Sequence, residues 1–352
     1  MIDWTKSMNQ TYEFYTVDPN TWKDKDKIDC ITSCTINRDE SNETLGSATF
    51  ECTEELGECY IRVYLIAIQN GVTEKVPLGT FLVQTPSTSF DGKVGSYSLD
   101  AYTPLIELKE GSPPIGYSLL EGQPILEIAS NICRERMRAP VVATKSEKTL
   151  YRDFVSNTND TWITYIRDLV YNADHKPALD ELGRLMFDPI QDTAALRPVT
   201  TFDDGNSSIL LPSIKNKRDL YGIPNVVEVV YSTDAETLFS RVVNDDSSSP
   251  ISTVNRGREI LYRDTNPSIS GKPDQKYIDN YAVQLLRKLS CLEHTVTYSH
   301  GYYPVRVGDC VLLDYKRSGI INTKARITSQ SIKCGTGCVV EETATYTTKL
   351  WR

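Results

Sequence analysis

The sequence YIRVYLIAI occupies residues 60–68 and is apolar along its whole length except for Arg62. A strand that is buried on both faces has this continuous apolar character, so we predict a central β-strand here. The dipeptide Asn70-Gly71 follows at once, and Asn-Gly between two β runs is a strong signal for a tight hairpin. This stretch therefore predicts antiparallel β structure built around a central strand.

Shorter β patterns surround the central strand. Residues 28–36 alternate with the period of a half-buried strand. The face that we predict to be buried carries Ile28, Cys30, Thr32, Cys34 and Ile36. Further short runs occur at 48–52, 80–85 and 97–101, and Asp91-Gly92 is a second hairpin signal. We predict that residues 1–117 form one compact antiparallel β unit, a barrel or a sandwich.

The periodicity changes in the middle of the chain. Apolar residues recur at helical spacing near 124–137 and again near 159–173, and we predict one helix in each segment. A small hairpin is predicted at 178–188, where a turn signal separates two short apolar runs. Residues 118–222 are therefore predicted to be a mixed α+β insert.

The β pattern returns in residues 223–352. Two strands are predicted at 226–231 and 239–243, and one helix follows at 274–290. Four strands close the chain, at 294–299, 310–315, 324–332 and 339–347. The predicted fold class is thus β-rich α+β, with two antiparallel β units joined by small α+β segments.

The charges are unevenly distributed. The 352 residues include 38 Lys+Arg and 47 Asp+Glu, which gives a net charge of −9. Residues 1–117 carry 9 basic and 18 acidic side chains, whereas residues 118–352 carry 29 of each. All of the excess negative charge therefore lies in the first third. Such a chain lacks the basic surface that grips a phosphate backbone.

The composition is that of a globular protein, with 39% hydrophobic and 24% charged residues. The longest apolar stretch is the one at 60–68, far shorter than the roughly 20 residues that span a bilayer. The first residues show no basic segment followed by an apolar one, so we predict no secretion signal and no membrane insertion. Synthesis in a cytoplasm is the expectation.

The sequence contains few of the residue patterns that carry catalysis. It has no nucleophile elbow, no phosphate loop, no zinc-protease helix and no dinucleotide fingerprint. Only three histidines occur: His175, His294 and His300. The acidic doublets Asp203-Asp204, Asp245-Asp246 and Glu341-Glu342 do not form a catalytic carboxylate pair by themselves, because neighbours on a strand point to opposite faces. Solvation in loops is the favoured explanation for them. We predict no enzyme, with no catalytic and no cofactor-binding residues.

Nine cysteines, an odd number, are predicted to be reduced thiols that pack as small apolar groups. Cys30 and Cys34 lie about 13 Å apart along an extended strand, too far to share one zinc ion. Cys334 and Cys338 flank a glycine-bearing loop and are predicted to lie opposite each other, as free thiols or as one disulfide. A plain hairpin is favoured there over a metal site, and we predict no metal ligands.

Trp351 stands beside the last residue of the sequence. A large aromatic side chain in that position needs a surface that buries it. Packing against its own β unit is favoured, and a partner surface is the alternative.

Three groups of segments, taken in order, resemble one known family. In the first β unit they are 60–68, 76–83 (VPLGTFLV) and 96–105 (SYSLDAYTPL). In the middle they are 182–185 (LGRL), 202–205 (FDDG), 209–212 (ILLP) and 223–227 (IPNVV). Near the end they are 305–309 (VRVGD) and the strands at 310–315 and 324–332. This order resembles the tail hub (baseplate hub) proteins of tailed bacteriophages and phage-tail-like particles.

The resemblance implies two tail-tube-like β-barrels per chain and assembly as a homotrimer. Three chains then form a ring of six barrels, which adapts the six-fold tail tube to a three-fold spike or tip protein. The implied partners are a tail tube or distal tail protein on one side, the spike or tip protein on the other, and the tape measure protein. Phage DNA passes through the lumen without specific binding, as an acidic wall permits. The implied location is the virion tail tip or baseplate, after assembly in the host bacterial cytoplasm.

Two other functions stay open. A hexameric distal-tail or tube-like protein differs in the symmetry of its ring. A carbohydrate-binding or carbohydrate-hydrolysing β protein requires a cleft with two converging carboxylates and exposed aromatic side chains.

Overall fold

Seven strands from the N-terminal third form a continuous antiparallel sheet in this computed structural model. The structure describes residues 2–90, 92, 95–205, 208–232, 236–267 and 273–351. The strands are β1 (Asn9–Val17), β2 (Asp24–Ile28), β3 (Ile31–Asp39), β4 (Gly46–Cys52), β5 (Tyr60–Gln69), β6 (Val72–Phe90) and β7 (Gly95–Tyr102). Their spatial order is β3-β4-β7-β6-β5-β1-β2.

Strand β5 contains the stretch at 60–68 and is buried on both faces. It pairs with β1 along one edge and with β6 along the other. Ile61, Val63 and Leu65 point into an apolar core shared with Phe50 on β4. On the opposite face, Tyr60 packs into a second core that the middle segment supplies. Burial on two sides is the reason for the continuous apolar pattern, and the predicted central strand is confirmed.

The predicted hairpin at Asn70-Gly71 joins β5 to β6. Both residues have positive φ, +51° and +79°, as the two central positions of a type I′ turn require. The signal at Asp91-Gly92 lies partly outside the described residues, since the structure does not describe Asp91; β6 and β7 pair on either side of it.

The prediction of a single strand over residues 28–36 is wrong. Strand β2 ends at Ile28 and β3 begins at Ile31, so the extended strand is interrupted at positions 29 and 30. The register of β3 against β4 shifts between Ile31 and Ser33. Thr32, predicted to be buried, is therefore exposed. An extra residue of this kind is left unpaired in the ladder, which an alternating pattern alone does not reveal, whereas Cys34 and Ile36 beyond it are buried as predicted.

The middle of the chain contains the first three helices. Its elements are α1 (Ile106–Glu110), β8 (Ser118–Leu119), α2 (Ile125–Arg136), β9 (Phe154–Val155), α3 (Trp162–Tyr171), β10 (His175–Leu179) and β11 (Leu185–Pro189). Thr161 caps α3 through a hydrogen bond to the backbone of Thr164. The apolar stripes of α2 and α3 form the second core together with Tyr60 and Leu105. The structure thus has a helix in each segment where helical periodicity predicts one, and a hairpin, β10–β11, near 178–188.

The last elements follow a connecting segment. They are β12 (Pro198–Asp203), β13 (Leu210–Arg218), β14 (Val226–Ser232), β15 (Thr237–Val243), α4 (Thr253–Arg256), β16 (Leu261–Asp264), α5 (Gln275–Leu289), β17 (Cys291–Gly301), β18 (Cys310–Asp314), β19 (Thr323–Cys334) and β20 (Val339–Lys349). Strands β13, β17, β20 and β19 continue the large sheet in that order, and β19 pairs with β3. Strand β18 pairs with β19, and β12 joins β18 in parallel. The sheet thus has thirteen strands.

The chain divides into two compact units. Unit 1 contains Met1–Ile214 and Thr297–Ala344, and unit 2 contains Lys215–Val296 and Thr345–Arg352. In unit 2, β15, β14 and β16 form a separate three-stranded sheet. Val227 and Val229 of this sheet pack on Ile278, Ala282 and Leu286 of α5.

Strands β14 and β15, which the sequence pattern places in the second β unit, pair with each other in the small sheet, where β14 also pairs with β16. Alternation along a strand reports which face is buried and not which strand lies beside it. The β-rich α+β fold class is confirmed. The division into 1–117, 118–222 and 223–352 stays a prediction. Among the described residues, no helix is both long and apolar enough to cross a membrane.

Candidate functional site

The pairing of β3 with β19 connects strands from the two ends of the chain within unit 1. We call this pairing the strand junction. Arg38 lies opposite Gln330, Ile36 opposite Ile332, and Cys34 opposite Cys334. The junction therefore joins the N-terminal and C-terminal strands of the sheet through an antiparallel backbone ladder.

A chain of polar side chains reinforces the junction. The Arg38 guanidinium donates from Nη1 to Gln330 Oε1 at 3.1 Å and from Nη2 to the carbonyl oxygen of Leu78 on β6 at 2.5 Å. The Gln330 amide donates to the carbonyl oxygen of Val305 at 2.9 Å and to Glu342 Oε1 at 2.6 Å. Every polar atom of the Gln330 side chain therefore has a partner, as burial of an amide requires.

Glu342 is the most deeply buried charged residue of this chain of contacts. Its side chain is 0% exposed, and Tyr298 donates its hydroxyl hydrogen to Oε2 at 2.6 Å. His300 Nε2 lies 3.3 Å from Glu342 Oε1, and the His300 ring packs against Phe202 at a centroid distance of 4.5 Å. We call Arg38, Gln330, Glu342, Tyr298 and His300 the buried polar network.

The prediction that the doublet Glu341-Glu342 is solvated is wrong for Glu342. The two residues occupy successive positions of β20, so Glu341 points to solvent and Glu342 points inward. Burial and the neighbouring Glu342 hold the pKa of Tyr298 well above its usual range, so the phenol remains a proton donor. The hydroxyl and amide hydrogens that reach Glu342 are committed to it, which favours a structural role for the network over catalysis.

Arg62, the single charge in the stretch at 60–68, anchors the middle segment to the sheet. Its side chain is 5% exposed and donates to Asp24 Oδ1 at 2.8 Å and to Thr80 Oγ1 at 2.9 Å. Nη2 also reaches the carbonyl oxygen of Leu182 at 3.2 Å, and Trp22 Nε1 donates to the same oxygen at 2.7 Å. The turn between β10 and β11 is thus held by Arg62 on β5 and by Trp22 in the loop between β1 and β2.

Gly183 lets this turn approach the sheet. Its φ is +74°, and a Cβ atom there would lie 2.9 Å from Thr80 Cβ and 3.3 Å from both Pro104 and Trp22. A residue with a side chain would therefore meet both a strained backbone and a lack of space. The segment LGRL at 182–185, which carries part of the family resemblance, corresponds to this anchor.

A cleft of about 570 Å³ lies in unit 1 beside the anchor. Its charged lining includes Arg38, Lys176, Asp180, Glu181, Arg306 and Asp309. Glu40 binds Lys176 at 2.9 Å and also Arg326, and Glu181 binds Arg306 at 2.5 Å. Burial raises the pKa of Asp309. Three of the acids in this cleft are thus paired with cations, since Asp180 also binds Arg184 at 2.6 Å.

The remaining candidate residues serve structural contacts. His175 Nδ1 lies 2.7 Å from the carbonyl oxygen of Ala173, and the His294 ring stacks on Tyr346 at 4.4 Å. Within the described ranges, no group of three His, Cys, Asp or Glu residues is arranged to hold a metal ion. Cys334 and Cys338 are free thiols. Trp351 packs on its own chain, against the core of α5, with Arg287 over its ring at 5.8 Å.

Comparison with known proteins yields structural matches. No protein-family model matches the chain, and no curated protein matches its sequence. The 43 kDa tail protein of prophage MuSo2 from Shewanella oneidensis superposes with a TM-score of 0.64 at 13% identity, covering 96% of this chain and 98% of that one. A tail protein from Neisseria meningitidis MC58 gives 0.60 at 12% identity, with 96% of each chain covered. A chain of the Francisella PdpA–VgrG complex gives 0.55 at 10% identity, covering 96% of this chain and 53% of that one.

These similarities define the fold. Nearly the whole of this chain matches nearly the whole of two tail proteins. The chain has the fold of phage tail proteins. The resemblance to this class, first drawn from segment order, is confirmed at the level of the fold.

Proposed function

We propose that this chain is a structural component of a phage tail or phage-tail-like particle and that it acts as the baseplate hub. The main support for this proposal is the structural match, which covers 96% of this chain and 98% of the Shewanella tail protein. A match of that extent leaves no large part of the fold for a separate activity. The cation-paired acids of the cleft, and the hydrogen bonds that Tyr298 and Gln330 donate to Glu342, also favour a non-enzymatic role.

The hub function requires two tube-like β parts in each chain. The strands of the large sheet come from two parts of the sequence, residues 9–102 and 198–349. The strand junction pairs β3 of the first set with β19 of the second, and Arg38 of the first set donates to Gln330 of the second. Three such chains form a trimeric ring of six tube-like parts, which adapts the six-fold tube to the three-fold spike or tip.

The proposed partners follow from this position. A tail tube or distal tail protein and the tape measure protein lie on the tube side, and the spike or tip protein lies on the other. The match to a chain from a complex that contains VgrG supports association with a spike-forming protein. The 18 acidic against 9 basic residues of the first 117 positions favour a lumen through which DNA passes without being held. The ring is assembled in the host bacterial cytoplasm and ends in the virion tail.

Light scattering of the purified protein over a range of concentrations tests the trimer. We expect a mass of about 119 kDa, three times the 39.6 kDa of one chain. A mass of about 238 kDa, six times 39.6 kDa, would indicate a hexameric distal-tail or tube-like protein instead of a hub. A monomer at every concentration, in the presence of its tube and spike partners as well, would contradict the proposal.

A further inference from the structure

Six of the nine cysteines lie in or against one apolar core of unit 1. Three of them are buried in this core and three pack against its edge. They are Cys30, Cys34, Cys52, Cys59, Cys334 and Cys338. All are free thiols, so the core contains a local concentration of groups that an oxidant can join in pairs.

One pair stands at facing positions of the strand junction. Cys34 on β3 lies directly opposite Cys334 on β19. Facing residues of antiparallel strands have Cβ atoms roughly 4.5–5.5 Å apart, and a disulfide requires about 3.5–4.5 Å. A small approach of the two strands therefore suffices. The two thiols also interact with each other, because Cys334 adds to the effect of burial in raising the pKa of Cys34.

The competing partner of Cys334 is Cys338, across the loop of the last hairpin. Cys338 has a φ of +38°, and its backbone N–H donates to the carbonyl oxygen of Gly335 at 3.0 Å. Its side chain is 0% exposed and lies within the core. A bond between Cys334 and Cys338 must be closed across this tight turn, whereas Cys34 already faces Cys334 from a regular ladder.

We propose that Cys34 and Cys334 form a disulfide across the strand junction when the protein meets a small-molecule disulfide as oxidant. Cys334 is half-buried and Cys34 is 2% exposed, so the Cys334 thiolate attacks first. It forms a mixed disulfide and releases one thiol of the oxidant. The Cys34 thiolate then attacks the Cys334 sulfur and releases the second thiol. Two protein thiols are oxidised, and one disulfide of the oxidant is reduced to two thiols.

The bond has a mechanical consequence. It joins residues 300 positions apart in sequence and locks β3 to β19 covalently, beside the buried polar network. Closing so long a loop restricts the unfolded chain strongly. The protein then folds and assembles with reduced thiols and becomes more resistant to unfolding after it leaves a reducing compartment.

Oxidised glutathione tests the proposal on the purified chain under native conditions. After the remaining thiols are blocked, tryptic peptides 28–38 and 334–349 are expected as one species that is lighter by two hydrogen atoms than the two reduced peptides together. Because these peptides also contain Cys30 and Cys338, a Cys30→Ala/Cys338→Ala variant serves as the matched control and is expected to retain the link. The Cys334→Ala variant is expected to lose it.

Thermal unfolding supplies a second readout. The oxidised protein is expected to melt at a higher temperature than the reduced protein, and Cys334→Ala is expected to show no such difference. A dominant link within peptide 334–349 would overturn the proposal, as would complete alkylation of Cys34 and Cys334 after oxidation of the wild-type protein. Loss of the link in the Cys30→Ala/Cys338→Ala variant, with its fold retained by circular dichroism, would also overturn it.

Discussion

Replacing Glu342 with Gln tests the buried polar network with a change of almost no volume. The carboxylate accepts hydrogen bonds from Tyr298 and from Gln330, both at 2.6 Å, and has no exposed surface. An amide has one acceptor oxygen and one NH₂ group. Whichever way it is oriented, one buried donor hydrogen loses its acceptor. Leaving a buried donor unsatisfied costs about 1–3 kcal/mol.

Urea unfolding followed by tryptophan fluorescence measures this cost as a lowered midpoint. The control is Glu341→Gln, one position earlier on the same strand and exposed, for which we expect a change within about 0.5 kcal/mol. The reasoning is refuted if Glu342→Gln unfolds at the wild-type midpoint or if both variants lose equal stability.

Three other substitutions test the anchor and unit 2. Gly183→Ala is expected to lower the free energy of unfolding, measured in urea, by more than Gly116→Ala does. Gly116 has a similar φ of +77°, but a Cβ atom there would have no atom within 4 Å. Each substitution costs about 1 kcal/mol for the left-handed backbone, and only Gly183→Ala adds a clash. Arg62→Met is expected to cost about 3–5 kcal/mol, because it leaves a partly buried carboxylate unpaired; a neutral result contradicts the anchor. In unit 2, hydrogen bonds from Arg263 and Arg241 lower the pKa of Glu228 from its usual value of 4.5. The native state then binds fewer protons than the unfolded one, so this stabilisation is complete above pH 4.5 and is lost as pH falls below it. As the pH is lowered below 4.5, the melting temperature of Glu228→Gln is expected to fall less than that of the wild type. Equal falls in the two proteins would contradict the stabilising role of ionised Glu228.

Local periodicity was sufficient to predict the elements with strong apolar patterns. Strand β5 and its Asn70-Gly71 hairpin follow from residues that lie next to each other, and so do the stripes of α2 and α3. Strand β13 was not predicted, because most of its side chains are exposed and its pattern carries little apolar signal. The assignment of β14 to the small sheet depends on contacts with α5, which no local pattern encodes.

The polar contacts were less visible in the sequence. Glu342 belongs to an acidic doublet, and only its inward position on β20 separates it from exposed Glu341. Its partner Tyr298 is 44 positions away, so the pair becomes apparent only when β17 and β20 lie in one sheet. Arg62 did give a signal, as a lone cation in an apolar strand, and such a residue requires buried acceptors. One of those acceptors, the carbonyl oxygen of Leu182, lies on a turn 120 positions away, and identifying it required the fold.

Electron microscopy of the purified ring tests the central claim most directly. A trimeric hub predicts class averages with six lobes around a central pore and true three-fold symmetry, because successive lobes come from different halves of the same chain. Six identical lobes with true six-fold symmetry, or particles without a pore when tube and spike partners are present, would contradict the account.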